Sequence, residues 1–311
     1  VLVSMNVAII GRSEVLYQTC ELFYEKGHTI SLIITSKEAP EYTKTSEDFE
    51  EYAKRIGAQF IYTNRIDDYE EEIKQCSPDI GISLNYSSII SDKVIGLFPY
   101  GILNAHGGDL PKYRGNACQA WAILNGEPRI GLCIHGMIGG EVDSGHIIAR
   151  EYLQIDINTK IGTVWKWIAD KAPELFLAAV DRLKADKNDV LEIQSKDPKD
   201  ALRCYPRKPE DGRICWGKSN EDILRLINAS SEPYAGAFTY LDGVKCIIWD
   251  AELFDDQERY CAVYGQISEI NTHYIVAITG KGKLKINEIE IEGFRGNPVE
   301  KIKSIRKRFS D

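Results

Sequence analysis

The chain opens on an apolar run, Val7 to Ile10, which breaks at Gly11-Arg12-Ser13 and gives way to a helical pattern through Leu16, Cys20, Leu22 and Phe23 to Gly27. A second apolar run, Ile30 to Thr35, follows at once. Strand, turn, helix, strand constrains the fold more than anything else in the sequence. It predicts a parallel, doubly wound sheet, in which ligands bind beyond the carboxyl ends of the strands. Further strands are expected at Phe60 to Thr63 and Asp79 to Leu84, with a charged helix at Asp67 to Gln75 between them, and Lys37 to Glu51 reads as a solvated, acidic connection. There is no Gly-x-Gly-x-x-Gly, which disfavours a dinucleotide. Arg12 sits at the first strand-to-helix turn, where a helix N-terminus favours anions, so it is either a phosphate contact or a solvated cation.

The stretch from Leu103 to Ile148 carries the side chains best placed for chemistry. Asn104 and His106 are two apart at the end of an apolar run, so in an extended segment both face one side. The following Gly107, Gly108, Pro111 and Gly115 exclude a regular element, and loops at strand ends are where sites are built. Asp143 falls in a second turn, Gly139 to Gly145, between strand-like runs Arg129 to Ile138 and His146 to Ile155. His135 and His146 lie inside those runs and read as structural. Asn, His and Asp together suit transfer of an acyl group to an amine, with no Ser or Cys nucleophile required. The His acts as base or as oxyanion stabiliser, the Asn amide donates to the oxyanion, and the Asp orients the His or takes the amine proton. An Asn-x-His near a turn is also a common hydrogen-bonded structural pair, and spacing alone leaves both readings open.

A longer ordered pattern surrounds these residues: Asn104-Ala105-His106, Leu110-Pro111-Lys112-Tyr113-Arg114-Gly115, Trp121 to Gly126, Gly131, and Asp143-Ser144-Gly145-His146-Ile147-Ile148. It resembles the signature of the folate-dependent formyltransferase family. The resemblance implies N10-formyltetrahydrofolate as co-substrate and places the catalytic roles on Asn104, His106 and Asp143. Gly107-Gly108-Asp109 departs from the Pro-Ser-Leu usual in the tRNA branch, and Asn116-Ala117-Cys118 from the common Ala-Ala-Pro, which bears on the acceptor rather than on the trio.

By the same resemblance Tyr86, Ser87, Ser88 and Ile89 belong to the loop whose backbone lines a pterin pocket, with Gly139 and Gly140 joining Asp143 on the cofactor side. Ser87 or Ser88 also reads as a helix N-cap. The segment Tyr205-Pro206-Arg207-Lys208-Pro209-Glu210-Asp211-Gly212-Arg213-Ile214-Cys215-Trp216 resembles a loop of the sugar-nucleotide N-formyltransferases. It offers an aromatic face and several cations, suited to a base ring and a pyrophosphate. Arg12, Tyr113, Arg114, Asn116, Tyr205 and Arg207 are the expected substrate contacts.

At 311 residues, 43% hydrophobic and 27% charged, the chain is long enough for two domains. A Rossmann-like catalytic domain is expected over 1–195, closed by an amphipathic helical stretch, Thr159 to Asp186, that Pro173 kinks or breaks. A linker and substrate loop covers 196–218. A small β-rich domain, an OB-like barrel, takes 219–311, with a helix capped by Ser219, strand runs at Val244 to Leu253, Ala262 to Ile267, Tyr274 to Thr279 and Lys283 to Ile291, and a terminal basic helix from Glu300 to Phe309.

The net charge of −9, and 16 Lys plus Arg against 17 Asp plus Glu from Tyr205 onward, argue against general affinity for nucleic acid or anionic membrane. No apolar run approaches the roughly 20 residues a bilayer span needs, so a cytoplasmic protein is expected. Val1 to Ser4 precede Met5 and read as a cloning remnant or an upstream extension. The eight Cys lack metal spacing and read as reduced, mostly buried thiols, with no metal site. Symmetric pairing makes a homodimer the expectation. The partner implied is a nucleotide-linked amino sugar. Whether dTDP or UDP carries it, which sugar carbon bears the amine, and whether His106 or Asp143 takes the proton first stay open. A methionyl-tRNA formyltransferase and a non-catalytic folate- or nucleotide-binding module are the alternatives.

Overall fold

The structure, a computed structural model, describes residues 4–311, so Val1 to Val3 of the segment before Met5 lie outside the described residues. In chain order the first elements are β1 (Asn6–Gly11), α1 (Glu14–Glu25), β2 (Thr29–Thr35), α2 (Ser46–Ile56), β3 (Gln59–Tyr62), α3 (Glu70–Cys76), β4 (Ile80–Leu84), α4 (Asp92–Ile95) and β5 (Ile102–His106). Next come β6 (Arg114–Gly115), α5 (Cys118–Leu124), β7 (Arg129–Gly136), β8 (Ile147–Gln154), α6 (Ile161–Ala185) and β9 (Arg203–Cys204). Then follow α7 (Asn220–Ser230), β10 (Ala237–Leu241), β11 (Val244–Phe254), β12 (Ile267–Ile270), β13 (Ile275–Ile278), β14 (Lys283–Ile291), β15 (Phe294–Gly296) and β16 (Phe309–Ser310).

The chain divides into two compact units that are not contiguous in sequence. The first takes the residues through Gly115 with Gly131–Leu153 and Lys166–Cys204; the second takes Asn116–Ile130, Gln154–Trp165 and Tyr205–Asp311.

The first unit is the doubly wound sheet, in the order β3-β2-β1-β4-β5-β7-β8. β1 pairs in parallel with both β2 and β4, and strand order reverses there. β5 pairs in parallel with β4 but antiparallel with β7, with Asn104 opposite His135. The central strands are apolar runs because both their faces are covered: β4 is buried throughout, and Ile9, Ile33, Ile82 and Leu103 meet Phe23, Phe49 and Phe176 in one core.

Two expectations change within this unit. The acidic stretch after β2 is connection only to Thr45, because Thr45 and Asp48 form a capping box that starts α2, whose Phe49, Tyr52 and Ala53 turn inward. Pro173 does not break α6, which is one helix of 25 residues. Ala172, Leu175, Phe176, Ala179 and Val180 form a buried stripe on both sides of the proline, and that packing holds the helix together across it.

In the second unit an antiparallel sheet runs β12-β13-β14-β11-β10-β16, with β15 on β14. It curls until Arg308 bridges to Gln266, and the Phe309 N–H donates to Gly265 O at 2.9 Å. α7, capped by Ser219, which accepts from the Asp222 N–H, adds Ile223, Leu224 and Ile227 to its core. Inside, Trp216 stacks on Phe309 at 5.1 Å.

The basic helix expected at Glu300 to Phe309 is absent. Pro298–Glu300 form a single 3₁₀ turn, and the chain then runs extended into β16, because Phe309 pairs opposite Leu241 and is buried, a tertiary demand that overrides local helix propensity. The strand expected from Ala262 begins only at Ile267. Gly265 occupies a positive φ of 82°, and a Cβ there would lie 2.2 Å from Phe309 O, so the closing turn takes residues that pattern alone gave to a strand.

Candidate active site

β5 ends where the regular ladder stops, and its period-two geometry delivers Asn104 and His106 to one place. The 139–145 turn between β7 and β8 brings Asp143 to meet His106. Asp143 has a positive φ of 52°, unusual for a residue with a Cβ. Its Oδ2 lies 3.4 Å from His106 Nδ1 and accepts from the Gly115 N–H at 2.9 Å. Its Oδ1 lies 3.4 Å from His135 Nε2. Burial by itself pushes the Asp143 carboxyl up, but the His106 charge, then His135 and the Gly115 N–H, more than offset it and hold the group well below the usual carboxylate range.

The two rings differ in their partners. His106 Nε2 donates to the Tyr113 carbonyl at 2.6 Å, so the ring meets an acceptor at each nitrogen. His135 Nδ1 donates to the Gly136 carbonyl at 3.0 Å, which leaves Nε2 between the Asp143 carboxylate and the Asn104 amide, 3.3 Å away. Neutral, that nitrogen accepts from Asn104; protonated, it donates to Asp143.

His135, which reads as structural from its place in an apolar run, lies against both Asn104 and Asp143. The available signal was a polar His in the apolar run Ile130 to Gly136, immediately ahead of the loop that carries Asp143. Its significance depends on the β5–β7 register, which periodicity does not give. His146, by contrast, is exposed.

Of the residues assigned to the cofactor, Tyr86 to Ile89 form an irregular loop after β4. The Tyr86 hydroxyl donates to Thr63 O, Ser88 donates to Asn64 O, and Ile89 is exposed. Neither Ser87 nor Ser88 caps a helix. Ser91 does, accepting from the Val94 N–H, because α4 starts only at Asp92. The Gly139 N–H donates to Asp92 Oδ1, and a Cβ on Gly139 would lie 2.1 Å from Asp92 N, so the glycine turn lies directly against the first residue of α4.

The residues expected to contact substrate divide between the two units. Arg12 and Ser87 line a polar cavity of about 510 Å³ at the carboxyl ends of β1, β2 and β3, with Lys37, Thr63 and Asn64. The Arg12 guanidinium donates to Asn85 O and Lys37 O. The Tyr113 ring is buried, and Arg114 donates to Gln194 Oε1 and Ser195 O. In the second unit, Asn116 and Arg207 line a cavity of about 250 Å³ with Ala120, Lys208, Ser230 and Tyr234. Burial pulls the Arg207 guanidinium down from its usual value, and the group donates to Ala229 O, Asp211 O and Ser230 Oγ. Tyr205 is 66% exposed, and its carbonyl accepts from the indole Nε1–H of half-buried Trp121.

Among the described residues the eight cysteines form no disulfide; five are buried, Cys76 is half-buried, and Cys215 and Cys261 are exposed. Among the described residues no helix is long and apolar enough to cross a membrane.

Residues 5–180 match the sequence profile described as formyl transferase, and residues 207–303 match that of the formyl transferase C-terminal domain. The methionyl-tRNA formyltransferase of Lachnospira eligens is 25% identical over 95% of this chain and 98% of its own length. Among solved structures, the N-formyltransferase from Helicobacter canadensis in complex with folinic acid and dTDP-3-aminofucose superposes with a TM-score of 0.68 at 18% identity, over 91% of this chain and 99% of that one. HypX from Aquifex aeolicus in complex with tetrahydrofolic acid gives a TM-score of 0.62 at 16% identity over 97% of this chain, which spans only 48% of HypX.

Proposed function

The chain belongs to the formyl transferase family, and from that premise we propose that it moves the formyl group of N10-formyltetrahydrofolate to the amine of a nucleotide-linked amino sugar. The observation that carries the chemistry is the half-buried Asp143 carboxylate, its side chain 12% exposed, facing two imidazoles beside the Asn104 amide. The neutral amine attacks the formyl carbon, and the carbonyl electrons move onto oxygen. Asn104 Nδ2 and the His106 Nε2–H, now shared with the Tyr113 carbonyl, are the donors for that oxyanion. Collapse of the tetrahedral species breaks the bond to N10. The amine loses one proton and N10 gains one; the Asp143 carboxylate accepts that proton and passes it on, while His106 keeps both of its N–H protons, one towards the oxyanion and one towards Asp143.

Three features support the sugar-nucleotide acceptor: the Tyr205 to Trp216 segment, the cations Arg207 and Lys208 beside Tyr234 in the 250 Å³ cavity, and the near balance of charge after Tyr205. Tetrahydrofolate-type ligands in the structural relatives support the donor. The near full-length likeness to methionyl-tRNA formyltransferases favours the second reading, aminoacyl-tRNA as acceptor.

One experiment separates them. Purified protein is incubated with N10-formyltetrahydrofolate and, in turn, a panel of dTDP- and UDP-linked amino sugars and Met-tRNA, and product mass is followed. A formyl gain on a sugar that is lost in His106→Ala establishes the first reading. A gain on Met-tRNA alone establishes the second.

A further inference from the structure

The Asp143 loop has an anchor that lies far away in sequence. After α6 the chain returns to the site. Ile147 N–H donates to Glu192 O at 2.9 Å, and β9 pairs in parallel with β6, setting Arg203 opposite Arg114 and Cys204 opposite Gly115. Between these two attachments Gln194 is 3% exposed. Its Nε2 donates to the carbonyls of Asp143 at 2.8 Å and Gly145 at 2.7 Å. Its Oε1 accepts from Arg114 Nε at 3.2 Å and Nη2 at 2.8 Å.

An arginine has donors only, so it must face the amide oxygen, and the NH₂ must then face the loop. All four hydrogen bonds of the Gln194 amide are made in a buried place, where leaving one unmade is costly. The loop needs this hold. Asp143 sits at a positive φ, a conformation disfavoured for a residue with a Cβ. Gly145 is pressed so closely on β7 that a Cβ there would lie 1.6 Å from Gly136 O.

We infer that Gln194 is a positioning residue for the Asp143 loop and that Arg114 fixes the direction of its amide. The Asp143 backbone is thereby held in the left-handed conformation that aims its carboxylate at His106 and His135. Arg114 also carries the carboxylate's third partner, because the next residue in β6 is Gly115, whose N–H meets Asp143 Oδ2. The inference rests on the reading of Asp143 as a reacting-site acid but makes a claim of its own about what places it.

The test is amide hydrogen exchange on the full chain, read at Gly115, with core amides such as Leu32 and Ile33 as controls. Gln194→Met keeps the side chain's length and removes both donors. It should speed Gly115 exchange about tenfold, the net worth of roughly one hydrogen bond, with the controls unchanged. Arg114→Met should do the same, and Arg114→Lys, which keeps a donor, should restore part of the protection. With the acceptor that the panel identifies, Gln194→Met should lower kcat about tenfold with KM for both substrates within about threefold, since a misaimed group loses rate rather than binding. Gly115 exchange at the wild-type rate in both Met variants, or loss only in step with the controls, would overturn the inference. Failure of the panel to show any formyl gain would sink the proposed function and leave the exchange result to decide the clamp.

Discussion

Replacing His135 by asparagine removes a side chain that touches both Asn104 and Asp143. The two contacts, 3.3 Å and 3.4 Å, are at the long end of the hydrogen-bond range. The interaction with the carboxylate therefore belongs near the lower bound for a bond to a charged group, about 1.5 kcal/mol. If that energy is spent in the transition state, kcat falls about tenfold. Removing an oxyanion donor outright, as in Asn104→Ala, should cost on the order of 10² to 10³. His135 is the smaller effect because His106 and the Gly115 N–H still hold the carboxylate. The assay is a steady-state measurement with N10-formyltetrahydrofolate and the acceptor found by the panel, with Tm followed in parallel because His135 is buried. A kcat within about twofold of wild type, at unchanged Tm, would refute the claim that His135 belongs to the site.

Three further outcomes are expected. Asp143 has a depressed carboxyl, so its contribution to stability is present above the unfolded value near pH 4 and is lost as pH falls through the folded one; Asp143→Asn should flatten the acid limb of the urea midpoint against pH, and an unchanged limb would contradict the assignment. An aromatic disulfide reagent should label two thiols quickly in the native protein, Cys215 and Cys261, while burial, which pushes Cys246 to about 12, protects the core thiols until denaturant is added; fast labelling of Cys246 would speak against the packing. Phe309→Ala should destabilise the protein by about 3–5 kcal/mol in urea titration, because it empties the face on which Trp216 stacks, and a loss under about 1 kcal/mol would mean the stack is not a core element.

What was legible in the sequence was what depends on local pattern. The apolar runs that became β1, β2 and β4, the cap at Ser219 and the two-residue spacing of Asn104 and His106 could all be read directly. What was not legible depends on partners remote in sequence. His135 gains its meaning from lying opposite Asn104 across two antiparallel strands. Arg114 is an expected substrate contact, and its donation to Gln194, eighty residues on, is a partner that the local sequence does not name. The terminal residues carry charges that suit a helix, and only the pairing of Phe309 with Leu241 decides against one. The capping box at Thr45 and Asp48 was a local signal that the acidic composition around it masked.

The interleaving of the two units also limits how such an enzyme can be recombined. α5 packs on α7, Asn228 donates to Ile157 O, and Lys160 pairs with Asp250, so the 116–130 and 154–165 segments belong with the chain beyond Tyr205. A chimera joined at a single crossover near residue 205 would inherit a barrel from one parent and the two segments that complete its unit from the other. Acceptor preference, if it resides in the cavity that Asn116 shares with Arg207, would then be split between parents. Transplanting it requires three exchanges made together, which makes new specificities in this architecture far more accessible to point substitution than to shuffling.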